Sequence, residues 1–390
     1  MNTTPNSVSL DHGIGRIAAI LMPLIGGMPF VIQPGFVQGL VAASGFTERE
    51  AGLIASAEMT GFAVSAIALA VFAGRWPWRR VIGLALLLST IMNLVSLWVA
   101  AAEGYAAVRF VAGIGSGAAM SLGFAAIGTT RQTERNFGWN IALAGLVGAL
   151  TMSAVPLALR EFGLQAFIAW FVGWNILGLL LARYLPRTGP AHGSVRADAV
   201  ALPWSLKAPA LCAMLLYFTA LGAAWAYLFL IGTSAGIAEQ AVANGLMLSG
   251  IAGIAGGFTP VILGNRFARI WPLTIGVLAG ILPMLVLADV GEALAYTLAV
   301  CVYNFAWNMT HPYLLATYAA LDRDGRLVVY AAAFQTIGMA LGPAVGAAVI
   351  SPGYYANVAW TAVGLFVATL ALVLPAAYAE SRRGGARAGG

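Results

Sequence analysis

Three side chains that carry charge or exchange protons, Glu58, Arg109 and His311, interrupt long stretches of this 390-residue chain that are otherwise apolar. An ionisable group at the centre of a bilayer costs about 2.5–3.5 kcal/mol on insertion scales, so each marks a place where chemistry is expected. With the chain termini taken as inside, Glu58 lies about eight residues, and Arg109 about five, from the outer end of its own stretch, so the two sit at depths that allow pairing. Two readings follow. The pair is a permanent ion pair that fastens two helices, or Glu58 takes up a proton when desolvated and gives it up when Arg109 or water approaches. The second rests on burial favouring the neutral acid and a nearby cation favouring the carboxylate.

A second group is uncharged. Asn304, Trp307, Asn308 and His311 recur at i, i+3, i+4 and i+7, which places them on one face of a helix. Against lipid, two amides and an imidazole would have no partners, so that face points inward, either to bond neighbouring helices or to line a solute cavity. Gln33, between Pro29 and Pro34, is an amide near mid-membrane, and Gln335, Trp225, Tyr217 and Tyr227 are further polar or aromatic candidates. Amides with aromatics suit a small organic solute that has a flat or apolar part. No Cys or His pairing at metal-ligand spacing accompanies them, so no metal is expected; Cys212 and Cys301 read as small core residues. The Gly-rich run at Gly113 lies inside a helix with no preceding strand, so neither a nucleotide nor any other cofactor is expected.

The elements that position these residues follow from composition. Hydrophobic residues make up 61% of the chain and charged residues 9%, with a mean hydropathy of +0.87. Soluble domains run at about 45–50% apolar and about 25% charged, so a water-soluble enzyme, a nucleic-acid binder and a disordered scaffold are excluded. A spanning helix takes about 20 apolar residues, and twelve such stretches read off the chain, at 16–42, 50–73, 80–102, 104–130, 139–160, 163–184, 207–233, 239–263, 271–289, 292–320, 326–350 and 354–379. Stretches such as Val81 to Ala102 and Ala356 to Ala377 are apolar on all faces, so helices are expected and a barrel of alternating strands is not. With both termini in the cytoplasm, 17 of the 20 basic residues fall on that side, the bias that orients helical membrane proteins. That fits a multi-pass protein of a bacterial inner (plasma) membrane.

The polar stretch 185–206, with Pro186, Gly189 and Pro190, has the composition of a cytoplasmic linker. It divides the chain into a bundle of six helices over 1–184 and a second over 207–390 with a short basic tail. The halves are related. A shift of 191 positions pairs Gly45 with Gly236, Glu48 with Glu239, Arg75 with Arg266 and Arg135 with Arg326 without a gap, which indicates a duplicated six-helix unit. Glycines spaced by four, at Gly113 and Gly117, at Gly253 and Gly257, and at Gly338, Gly342 and Gly346, allow close helix approach.

With these features the chain resembles the major facilitator superfamily over nearly its whole length. The loop between spans two and three, Gly74-Arg75-Trp76-Pro77-Trp78-Arg79-Arg80, is similar to the superfamily's Gly-x-x-x-Asp-Arg-x-Gly-Arg-Arg loop, with its arginines kept and its aspartate missing. Gly264-Asn265-Arg266-Phe267-Ala268-Arg269 is the second copy, and Arg109-Phe110-Val111-Ala112-Gly113-Ile114-Gly115 is similar to the superfamily's Arg-x-x-x-Gly-x-Gly segment. The resemblance implies two pseudo-symmetric six-helix bundles around a central solute site. It also implies gating loops at Arg75, Arg79, Arg80, Arg266 and Arg269, proton coupling at Arg109, span ten beside the cavity, and a monomer.

The reading is then a proton-coupled secondary transporter of a small organic solute working by alternating access. Glu58 and Arg109 couple protons, while Gln33, Arg109, Trp225, Asn304, Trp307, Asn308, His311 and Gln335 bind the solute. Uptake of an organic acid by symport, with Arg109 or His311 meeting the carboxylate, is the preferred version. Export of lipophilic or cationic compounds is the alternative. A solute receptor or membrane-embedded enzyme on the same fold is a third reading, disfavoured by the lack of a catalytic constellation in the spans.

Overall fold

The computed structural model describes residues 10, 13–72, 76–186, 204–263, 270–320, 326–351 and 353–388. They fold into α1 (Gly13–Val31), α2 (Gln33–Ser44), α3 (Glu48–Phe72), α4 (Trp78–Val95), α5 (Ala102–Gly128), α6 (Thr133–Phe162), α7 (Gln165–Ala182), α8 (Trp204–Ser234), α9 (Glu239–Leu263), α10 (Ile270–Leu287), α11 (Ala293–Ala320), α12 (Arg326–Val349) and α13 (Ala356–Ala388). Eleven of these helices are long and apolar enough to cross a bilayer. Of the other two, α2 has 12 residues and α11 has 28. The mean hydropathy of α11 is held down by the same Asn304, Asn308 and His311 that form the polar stripe.

The first expected span is two helices. Pro34 has no N–H to give the carbonyl of Phe30, four residues back, and α1 gives way to α2 at Ile32, whose φ of −105° and ψ of 13° lie outside the helical range. The twelve spans are therefore α1 with α2, followed by α3 through α13.

The duplication is visible in local geometry. Gly45 and Gly236, the pair matched by the 191-residue shift, both take a left-handed turn, with φ of 71° and 78°, a conformation that a Cβ disfavours. Glu48 and Glu239 then open α3 and α9, each 25 residues long. Within the first half α5 packs against α1, α3 and α4; within the second α11 packs against α9 and α10, and α8 against α12 and α13. The main contacts that cross between halves among the described residues are α3 with α12, α6 with α9 and α2 with α8. The stretch expected as a linker lies mostly outside the described residues.

Helix α8 is buried over nearly its whole length. Three tyrosines of α11 fasten to it by their hydroxyls: Tyr296 donates to the Leu228 carbonyl (2.9 Å), Tyr303 to that of Leu221 (2.7 Å) and Tyr318 to that of Ala210. These bonds hold the α11 stripe at a set rotation against the bundle. Cys212, expected in the core, lies exposed on the outward side of α8 with its i−4 neighbour Ala208; the apolar surroundings that suggested a core here are those of lipid.

Candidate functional site

Glu58 on α3 and Arg109 on α5 meet inside the first half. Helix approach makes this contact: a Cβ on Gly113 would overlap the Glu58 carbonyl, and one on Gly61 would overlap that of Phe110. Arg109 donates through Nε to Glu58 Oε2 (3.2 Å) and through Nη1 to Asn93 Oδ1 (2.7 Å), while its Nη2 pairs with Glu58 Oε1. The guanidinium carbon lies 5.1 Å from the Phe36 ring centroid and 5.2 Å from that of Phe171. Arg109 is 0% exposed and Glu58 2%, so the charges neutralise each other away from water. Beyond Asn93 a polar chain continues. Asn93 Nδ2 donates to the Ser89 carbonyl (2.8 Å), Asn175 Nδ2 donates to Ser89 Oγ (3.0 Å), and the hydroxyls of Ser89 and Ser116 lie 3.3 Å apart. Asn93, Phe36 and Phe171 were missed from sequence. Asn93 alone carried a signal, as an amide in an apolar span one turn beyond Ser89.

A cavity of about 360 Å³ lies between the halves. Its aromatic end is built by Phe30, Trp225 and Trp307, with ring centroids 5.5 Å apart for Phe30 and Trp307, 6.0 Å for the two tryptophans and 6.2 Å for Phe30 and Trp225. Its polar wall comes from α11 and α12, where His311 Nε2 and Gln335 Oε1 lie 3.0 Å apart and the imidazole stands edge-on to Phe218. Asn304 Nδ2 donates to Ser249 Oγ (2.9 Å) and Asn308 Nδ2 to the Asn304 carbonyl (2.9 Å). Six of the eight residues expected to bind solute, Trp225, Asn304, Trp307, Asn308, His311 and Gln335, line this cavity. Gln33 and Arg109 are not among its lining residues in this conformation. Gln33 is buried with its Oε1 lacking a hydrogen-bond partner among the described residues. Phe30, Met59 and Asn140 also line the cavity and were not singled out from sequence.

The face that carries the α2–α3, α4–α5, α6–α7, α8–α9, α10–α11 and α12–α13 connections is closed by bonds between the halves. Trp225 Nε1 donates to the carbonyl of Phe30 (2.9 Å), the one that Pro34 leaves without a helical donor. Ser56 Oγ donates to the Ala340 carbonyl (2.6 Å), Tyr227 to the Glu48 carbonyl (3.1 Å), and Tyr355 to Glu48 Oε1 (3.2 Å). The cavity extends the other way, toward the face where α1 begins and α13 ends, past Pro23, Phe124 and Asn140.

Of the arginines expected in gating loops, Arg79 donates to the Leu185 carbonyl through Nε (3.2 Å) and Nη2 (2.9 Å), and Arg80 is exposed. Arg75, Arg266 and Arg269 lie outside the described residues. Among the described residues no group of three His, Cys, Asp or Glu side chains is placed to hold a metal ion.

The family model of the Major Facilitator Superfamily matches residues 17–322. The chain belongs to that superfamily. It is therefore a multi-pass membrane transporter of a family whose members are not enzymes. Solved structures of transporters share the fold. The nucleoside transporter NupG is 13% identical with a TM-score of 0.73, covering 93% of this chain and 99% of its own. A D-xylose-proton symporter is 14% identical with a TM-score of 0.71, covering 92% and 97%. The human organic anion transporter TETRAN is 17% identical with a TM-score of 0.63, covering 91% and 97%. No curated protein matches the chain in sequence. At these identities the structural likeness establishes the twelve-helix fold of two related bundles and leaves the solute to the chemistry of the cavity.

Proposed function

We propose that this superfamily member is a proton-coupled secondary transporter that takes up a small organic acid with a flat apolar body, by rocking the 1–184 and 207–390 bundles about the central cavity. The observation that carries this reading is the cavity itself: an aromatic end made by Phe30, Trp225 and Trp307 faces a polar wall made by His311 and Gln335. No acidic side chain lines it among the described residues, so a cation would find no countercharge, which disfavours the export alternative. Closure by Trp225, Ser56, Tyr227 and Tyr355 on one face corresponds to a state open toward the termini, and the basic loops support placing that face in the cytoplasm, in an inner (plasma) membrane. The protein is proposed to act as a monomer, with the lipid bilayer and its solute and protons as partners.

Proton coupling is assigned to Glu58 and Arg109. The pair is dry here, and charge neutrality inside the bundle is kept by the salt bridge. When α3 and α5 shift with the rocking of the bundle, a separated Glu58 keeps neutrality by taking up a proton. The test is solute-evoked pH change inside proteoliposomes, screening aromatic and aliphatic carboxylic acids, sugars and lipophilic cations, with Glu58→Gln beside the unmodified protein. Loss of proton movement in the variant, with solute binding kept, supports the reading. Normal proton movement in Glu58→Gln makes the pair structural.

A further inference from the structure

We infer that His311 and Gln335 form a carboxyl-recognition dyad that binds the solute together with one proton shared between its carboxyl group and the Nδ1 of His311. This rests on the transport reading above and deepens it, since it places a protonation site in the solute's own cavity, in the half opposite Glu58.

The argument begins with which polar atoms are already used. The side-chain NH2 groups of Asn304, Asn308 and Asn140 are committed to protein acceptors, namely Ser249 Oγ, the Asn304 carbonyl and the Ile20 carbonyl. In the dyad Gln335 Oε1 faces His311 Nε2 at 3.0 Å, so Nε2 carries the hydrogen and donates it. The contact with Phe218, 5.2 Å between centroids at 74°, sets the ring plane. That leaves Nδ1 of a neutral imidazole as an acceptor and the NH2 of Gln335 as a donor. The Nδ1 acceptor, on the side of the ring away from Gln335, is the complement of the O–H of an undissociated carboxylic acid, while Gln335 holds the imidazole in this tautomer from the opposite side. If the proton passes to Nδ1, the O–H bond breaks and an N–H bond forms. A carboxylate and an imidazolium result, with the same atoms and the same net charge.

The surroundings make this proton unshared with other groups. Among the described residues lining the cavity His311 is the sole titratable side chain; those contributed by α1, α3, α5, α6, α8, α9 and α12 are apolar, aromatic or amide, with one threonine. The nearby tyrosines are turned elsewhere: Tyr303 donates to the Leu221 carbonyl, and the Tyr217 ring packs on Phe366. Trp307 lies four residues before His311, about 6 Å along α11, so a flat body attached to the carboxyl group by a short link reaches the aromatic end.

The test uses the purified full-length protein in detergent and three probes of one shape, 3-phenylpropionic acid, its primary amide and its methyl ester, with binding measured by calorimetry from pH 5 to 9. The expected result is acid affinity that falls about tenfold per pH unit where the free imidazole is neutral and the free acid ionised, amide affinity that is flat over the same range, and ester binding at least tenfold weaker than amide binding. His311→Phe should lose acid binding at least tenfold, and Glu58→Gln should keep the whole pattern. Equal binding of the three probes, binding of none, or a pH-independent acid overturns the dyad, and these comparisons need no variant to fold. A pH dependence that disappears in Glu58→Gln but not in His311→Phe also overturns it, while leaving the coupling reading intact. The converse, normal proton movement in Glu58→Gln with the probe pattern present, removes the coupling reading and keeps the dyad.

Discussion

The two halves use the same helix contact for opposite purposes. In the first half α3 meets α5 through Glu58 and Arg109; in the second α9 meets α11 through Ser249 and Asn304. The 191-residue shift pairs Glu58 with Ser249, so equivalent positions carry a buried charge in one copy and a hydroxyl in the other. The first-half pair is sealed between phenylalanines and lines no part of the cavity, whereas Asn304 lines it. After duplication one copy of the contact holds charge away from water and the other faces the cavity. The buried ion pair thus belongs to the first bundle and the polar wall of α11 and α12 to the second, and the bundles meet through the contacts of α3 with α12 and α6 with α9.

The largest effect expected from this difference is at Arg109. Arg109→Ala leaves Glu58 buried without a partner, so that it either carries an uncompensated charge or must bind a proton, and should destabilise the protein by about 3–5 kcal/mol, read as a drop in thermal unfolding temperature in detergent. The double variant Arg109→Ala with Glu58→Gln removes the stranded charge and should recover more than half of that loss. If the double variant is as unstable as the single one, packing around the guanidinium, and not charge compensation, distinguishes the first half.

Helix approach gives a second contrast, of intermediate size. A methyl group on Gly113 collides with the Glu58 backbone, which cannot move without parting α3 from α5, while one on Gly253 meets the Asn308 amide nitrogen at 2.9 Å and the Asn304 Oδ1 at 3.3 Å, side-chain atoms that can turn aside. Gly113→Ala is therefore expected to cost about 1–3 kcal/mol, in the range of overpacked cores, and Gly253→Ala less. The second variant should instead change solute affinity, because the atoms it displaces belong to the cavity wall. Equal losses of stability would mean that both helix pairs are equally rigid.

Sequence carried the architecture because it is written in long apolar runs and in a repeat, both one-dimensional signals. The α11 stripe was legible for a related reason: with four polar or aromatic residues at helical spacing, its inward direction follows from what lipid cannot satisfy. The Glu58 and Arg109 contact was legible because two opposite charges at matching depth have few other partners in hydrocarbon. Gln33 does not line the cavity in this conformation, since the break at Ile32 changes the helix and depth along a span does not tell which side a residue takes. Arg109 was expected to bind solute as well as couple protons, and its enclosure by Phe36 and Phe171 depends on α2 and α7, whose approach no local pattern encodes. Phe30 escaped notice because its part in the cavity arises between halves, where Pro34 frees its carbonyl for Trp225.

The smallest expected effect sharpens the comparison from the second half. Ser249→Ala removes the acceptor of the Asn304 amide, a single hydrogen bond worth about 1 kcal/mol, well below the expected loss at the equivalent charged contact. The freed NH2 faces the cavity, so stability should fall slightly while affinity for a solute with an acceptor near Trp307 rises a few-fold, measured by thermal unfolding and calorimetry on one preparation. A loss of stability as large as that of Arg109→Ala would show that the α9 and α11 contact is as demanding as its charged counterpart. The division of labour between the halves would then lie in the cavity alone, with no difference in how their helices are held.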